Sequence, residues 1–140
     1  ERRRRPHGDR ALEQRRDHRD RVIAELERCR PWIEAALEYS GGTHVWDDVV
    51  RGVLSGHMQL WPGEDFAFVT EITRYPQTQV CNMFLGGGNL DSILAMHEPV
   101  EQWARAQGCA HLTISGRLGW KRPLQAHGWK PLHLVMAKEL

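Results

Sequence analysis

Thr78-Gln79-Val80-Cys81-Asn82-Met83-Phe84-Leu85-Gly86-Gly87-Gly88-Asn89-Leu90-Asp91-Ser92-Ile93-Leu94 changes its hydrophobic period in mid-run, and that change decides the fold. Thr78 to Leu85 reads as a strand, rich in apolar residues that suit a pleated surface. Gly86, Gly87, Gly88 and Asn89 form a glycine loop, and Leu90, Ile93, Leu94, Val100, Trp103 and Ala104 then recur at helical spacing until Gly108. Pro99 kinks or restarts that helix, because an interior proline removes a hydrogen bond. The unit is strand, glycine loop, helix.

Before this unit, His57 to Trp61 precedes a Pro62-Gly63 turn, Phe66 to Ile72 is a strong strand, and Tyr75-Pro76-Gln77 makes the next turn. These segments predict an antiparallel meander of three strands. After the unit, Cys109 to Ser115 reads as a buried strand and Trp120 to Ala126 as a short helix. Gly128-Trp129 then leads into a last strand through Leu132, Leu134 and Met136. Toward the start of the chain, Trp32, Ile33, Ala36 and Leu37 keep a helical period that Ser40-Gly41-Gly42 stops. Asp47 and Asp48 open a second helix, Val49, Val50, Val53 and Leu54 form its apolar side, and Gly56 ends it. The expected fold is α/β (α+β): helix, helix, three strands, helix, strand, helix, strand, around a mixed, mainly antiparallel sheet flanked by helices.

Charge divides the chain. Residues 1–30 hold 11 arginines against 7 acids, whereas residues 31–140 hold 8 lysines and arginines against 11 acids, which is +4 against −3 within a net +1. Glu1 to Arg5 reads as a basic arm, since a run of like charge repels itself and has nothing to bury. From Asp9 a charged, Arg-rich helix follows with a thin apolar stripe of Leu12, Val22, Ile23, Leu26 and Cys29, which Pro31 ends or kinks. A division into a basic arm and charged helix, 1–30, and a folded domain, 31–140, is therefore expected. The arm suits phosphate binding through counterion release, or equally a solvated helix laced with Arg/Asp and Arg/Glu pairs.

With 140 residues, 41% of them hydrophobic, and six tryptophans, the chain can bury a core, and one compact domain is expected. No run approaches the roughly 20 apolar residues of a membrane span, so no membrane partner is expected. Beginning at Glu1, the sequence reads as a processed or trimmed product, from which targeting signals can have been lost. Cys29, Cys81 and Cys109 lie far apart without a CxxC pair, which fits a reducing compartment. The eight histidines lack metal-ligand spacing, so no metal is expected. Trp103, Trp120 and Trp129 are expected in the core.

The element order, the glycine loop, the helix closing in Trp103-Ala104-Arg105-Ala106-Gln107-Gly108-Cys109, the strand behind it and the His127-Gly128-Trp129 turn together resemble the GCN5-related N-acetyltransferases, the GNAT superfamily, over roughly residues 32–137. The resemblance implies that Gly86, Gly87, Gly88 and Asn89 would present backbone N–H groups to the pyrophosphate of acetyl-CoA. It also implies a general base on the central strands, for which Glu71 is the carboxylate available, with His57 or His44 behind it. The chain departs from the pattern at several points. The Arg/Gln-x-x-Gly-x-Gly/Ala signature aligns on Gly88, Asp91 and Ile93. The tyrosine that serves many members as proton donor corresponds to Leu124, and a frequent asparagine to Arg117. Gly116 to Pro123 is compactly basic, and Arg117, Lys121 and Arg122 beside Trp120 can contact phosphate or a base, unless Trp120 and Leu124 pack on the sheet while the cations point outward.

The Gly-Arg-x-Gly-Trp-x-Arg stretch, here Gly116 to Arg122, is also similar to small GNAT-like proteins of tailed bacteriophages. That similarity implies a non-catalytic structural or binding protein, in the virion or the host cytoplasm. It would dock on portal, capsid or tail components, or on packaged DNA, through Arg2, Arg3, Arg4, Arg5, Arg15 and Arg16, with Arg117, Lys121 and Arg122 as further partner contacts. No cofactor is expected in that case. The alternatives are a CoA-dependent N-acetyltransferase using acetyl-CoA, and a nucleic-acid-binding module.

Overall fold

The computed structural model describes residues 7–116 and 118–140. Arg2, Arg3, Arg4, Arg5 and Arg117 lie outside the described residues. The elements are α1 (His7–Leu37), α2 (Trp46–Ser55), β1 (Met58–Pro62), β2 (Phe66–Arg74), β3 (Gln79–Gly88), α3 (Leu90–Leu94), α4 (His97–Ala106), β4 (His111–Ile114), a 3-10 turn (Leu118–Trp120) and α5 (Lys121–Gln125). The sheet order is β1-β2-β3-β4, with β1, β2 and β3 antiparallel and β4 parallel to β3.

One helix replaces the expected break at Pro31. Leu26, Cys29, Ile33 and Ala36 are all buried, and their spacing of three and four keeps them on a single face of α1. Pro31 and Glu27 lie on the exposed side, so water can satisfy the carbonyl that the proline leaves without a donor. The 30/31 division therefore falls inside a continuous helix whose residues 22–37 help to build the core. Residues 8–21 are exposed all round, about 21 Å of helix at 1.5 Å per residue.

α2 starts where the acids predict. The Asp48 carboxylate accepts from the Val45 N–H at 2.9 Å, and that hydrogen bond is the main reason its carboxyl titrates below the usual range. Gly56, at φ 83°, ends the helix in the left-handed region. Pro99 restarts the later helix rather than bending it. α3 stops at Leu94, and Pro99 occupies the first turn of α4, where no N–H is required.

β2 and β3 pair with a bulge. Val69 faces Leu85 and Thr70 faces Met83, leaving Phe84 as the additional residue. The bulge exchanges the faces of β3. Met83 packs with Phe68, Ile93, Val100 and Ala104 on the α3/α4 side, whereas Leu85, two residues on, packs with Cys29, Ile33 and Val49 on the α1/α2 side. Trp103, Trp120 and Trp129 are half-buried against the first of these clusters.

Two expectations are corrected. Gly86, Gly87 and Gly88 form no loop: they extend β3 and pair with Phe68, Ala67 and Phe66. Their small size serves packing. A Cβ on Gly87 would come within 3.0 Å of the Trp32 carbonyl oxygen, and Gly88 sits at φ +98° against the Asp65 backbone. The last strand is also missing. Residues 130–140 carry no strand and are exposed, with Leu132 at 71%, Leu134 at 76% and Met136 at 83%. Alternation suits a segment to a sheet, but a strand forms only beside an edge it can reach.

Candidate functional site between β3 and β4

β4 pairs with β3 only from Val80–His111 to Met83–Ile114. Beyond that point β3 runs on to Gly88 along β2, while the other chain turns away through Ser115 and Gly116. The two parallel strands thus part, and among the described residues the β3 edge facing the gap has no ladder partner there. A cavity of about 370 Å³ fills the divergence, bounded by Ala36, Tyr39 and Ser40 at the end of α1, Phe84 to Gly86, Ile93, Ser115 and Trp120.

The wall is mostly apolar with few polar groups. Ser40 Oγ is buried and, among the described residues, has no hydrogen-bond partner, so it is a group that a bound molecule or water would satisfy. The His44 ring packs edge-on to Phe84 at 4.5 Å, behind this wall. Trp120 closes over Gly86, where an added Cβ would lie 3.3 Å from its ring.

Of the four residues expected to cradle a pyrophosphate, Gly86 lines this cavity and Gly87, Gly88 and Asn89 do not. The start of α3 is already engaged by the protein itself. Asn89 Oδ1 accepts from the Ser92 N–H at 3.1 Å, and Ser92 Oγ donates to Asp65 Oδ2 at 3.1 Å. Asp91 stands in the same first turn. An amide oxygen and two carboxylates at a helix start occupy or oppose the place an anion would take. These residues do not fit the pyrophosphate of acetyl-CoA.

Glu71 lies on β2 between Met58 and Asn82, half-buried on the α1/α2 face, and does not line the cavity. In the neighbouring pair of the same row, Thr113 Oγ1 donates to Asn82 Oδ1 at 3.1 Å. His57 pairs with Ser55 Oγ at 2.8 Å. Leu124 is buried in the core of α5 and has no proton to give. Trp120 and Leu124 pack inward while Lys121 and Arg122 are exposed, and Arg15 and Arg16 are exposed on the outer half of α1.

A cluster that no local pattern announces lies beneath α4. The Trp129 indole N–H donates to His97 Nε2 at 2.7 Å, and His97 Nδ1 contacts the Leu94 carbonyl at 2.8 Å. With Nε2 accepting from the indole, Nδ1 is the ring nitrogen that donates to the Leu94 carbonyl. The His127 ring stacks on that of His97 with centroids 5.5 Å apart. Burial, with Cys109 nearby, pushes the Cys81 thiol up to about 11, which makes it an inert core thiol rather than a nucleophile. Among the described residues no group of three or more His, Cys, Asp or Glu side chains could hold a metal ion, and no helix is long and apolar enough to cross a membrane.

No family model and no curated protein matches the chain. Solved structures do match its fold. The tetramutant of BH1408 protein from Bacillus halodurans superposes with a TM-score of 0.60 at 12% identity, covering 86% of this chain and 95% of its own. A possible acetyltransferase from Clostridium difficile 630 gives 0.60 at 6% identity over 84% and 92%. The aminoglycoside acetyltransferase meta-AAC0020 from an uncultured soil metagenomic sample, solved with sisomicin, gives 0.55 at 6% over 85% and 88%. The chain has a GNAT-like fold: a four-stranded, mostly antiparallel sheet flanked by helices, with two strands parting at the cavity.

Proposed function

We propose that this chain is a non-catalytic GNAT-like binding or structural protein that docks on a macromolecular assembly through α1. One observation carries the reading. The helix start that would bind a pyrophosphate is filled by Asn89 and faced by Asp65 and Asp91. Leu124 in place of a proton donor supports it, as does the exposed Arg-bearing half of α1, residues 8–21. That half is exposed on every side, so a partner that packs along it would add to its stability. The resemblance of the Gly-Arg-x-Gly-Trp-x-Arg stretch, Gly116 to Arg122, to proteins of tailed bacteriophages supports a virion as that assembly, with portal, capsid or tail components as the docking surface.

Thermal unfolding with and without millimolar acetyl-CoA tests this proposal. No change in Tm is expected. A ligand at about 100 times its Kd adds roughly 2.7 kcal/mol, or roughly 8–13 °C for a domain of this size. A shift of that order would overturn the reading in favour of an acetyl-CoA-dependent N-acyltransferase. That second reading draws on the divergence of β3 and β4, whose unpaired β3 edge offers backbone groups to an amide-bearing chain. The nucleic-acid alternative predicts duplex DNA binding that weakens steeply with salt and is lost when Arg15 and Arg16 become Glu.

A further inference from the structure

Among the described residues β4 pairs with β3 alone, so its other edge carries a row of N–H and C=O groups with no ladder partner. Such an edge accepts a further strand. The same chain holds a strand-like segment with no strand beside it. Leu132, Leu134 and Met136 alternate along an unpaired stretch, and with Val135 they are 71–83% exposed. Four large apolar side chains within five residues are a poor surface to leave in water.

The exit point of this segment is fixed. The Trp129 N–H donates to the Leu124 carbonyl at 3.2 Å, and its indole is held by His97. A cleft of about 330 Å³ separates Gly128, Trp129 and Lys130 from Ala110, His111 and Leu112 at the start of β4. Leaving beside the first residues of β4, the segment could lie on its own edge only parallel to that strand, the less stable pairing per residue. The segment of a second copy can lie antiparallel, and a two-fold axis makes the exchange reciprocal.

We propose that the free edge of β4 takes residues 131–137 of a second copy of this chain, so that two chains exchange strands. The area is sufficient. Side chains of this size bury roughly 60–120 Å² each at 25 cal/mol per Å², so four from each of two segments remove about 500–1,000 Å² of apolar surface. Backbone and the covered edge add to it, which reaches the small end of specific interfaces, about 1,000–1,200 Å².

Light scattering on the full chain, over a range of concentrations, should give twice the mass of one chain. Backbone N–H groups point alternately to the two edges of a strand, so of Val135→Pro and Leu134→Pro the one whose N–H faces β4 should return it to a single mass, since proline there removes a ladder hydrogen bond. Both variants should keep a cooperative unfolding transition, because residues 130–140 are exposed in the single copy. Hydrogen exchange should show residues 131–137, and those amides of residues 111–114 that face away from β3, protected in the wild type and released in the proline variant that loses the double mass. A single mass for the wild type at every concentration would overturn the proposal, with residues 131–137 protected marking pairing to the chain's own edge. A double mass that survives both proline substitutions would overturn it as well.

Discussion

Gly87→Ala separates a packing role for the glycines of β3 from a ligand-binding one. An added Cβ would lie inside 3.0 Å of the Trp32 carbonyl oxygen, 3.0 Å from its carbonyl carbon and 3.2 Å from its Cα. All three are backbone atoms of α1 and cannot rotate aside. To reach ordinary contact, α1 must move outward by about 1 Å, and it carries Cys29, Ile33 and Ala36 out of the core with it. Overpacking costs about 1–3 kcal/mol where side chains can adjust, and a backbone collision belongs at the upper end. We expect a loss of about 3 kcal/mol from a total of about 7–20 kcal/mol for a chain of this length. Gly86→Ala is the control. There the nearest atom is the edge of the Trp120 ring at 3.3 Å, which can tilt, so the loss should stay below about 1 kcal/mol. Urea unfolding of the two variants beside the wild type measures both values. If Gly87→Ala falls within about 0.5 kcal/mol of the wild type, the close approach of α1 to β3 is not what the glycine serves, and the packing argument fails.

Three further outcomes follow from the same geometry. The Cys81 thiol, raised to about 11 from 9.0, stays protonated in the folded chain while the unfolded chain ionises. Its contribution is therefore complete below pH 9 and lost as pH rises toward 11, a fall of about 2 kcal/mol that Cys81→Ala should remove from the pH dependence of urea unfolding. Trp129→Phe keeps a ring in place but leaves His97 Nε2 without its donor, and should cost about 1 kcal/mol by thermal unfolding. Asp48→Asn should lower Tm at neutral pH by weakening the contact to the Val45 N–H. Because the Asp48 carboxyl titrates below its ordinary value of 3.8, the difference between variant and wild type should shrink as pH falls through that region.

Much of the fold is legible in local pattern. The meander, the helix started by Asp47 and Asp48, and the core face of Trp103 and Ala104 all follow from period, turn residues and caps, which act over a few positions. The candidate site was less legible. Gly86 to Gly88 resemble a loop in sequence, since three glycines have weak strand propensity. They are strand because Phe66 to Phe68 hold the other side of the ladder and the Trp32 backbone lies against the middle one, Gly87. Ser40 reads as part of a helix stop, and nothing within several residues marks it as a cavity wall. His97 and Trp129 meet across 32 positions, a distance at which sequence spacing carries no geometric information.

What the sequence by itself determined is therefore the order of the helices and of the first four strands, because these are settled by the side chains of neighbouring residues. Only the tertiary structure decided how those elements were used. It carried α1 through Pro31, because the affected carbonyl faces water. It turned three glycines from a phosphate loop into strand, because β2 pairs with all three and a helix backbone more than fifty positions earlier lies against Gly87. It also left Leu132 to Met136 without an edge, because a strand exists only where another backbone comes within hydrogen-bonding reach.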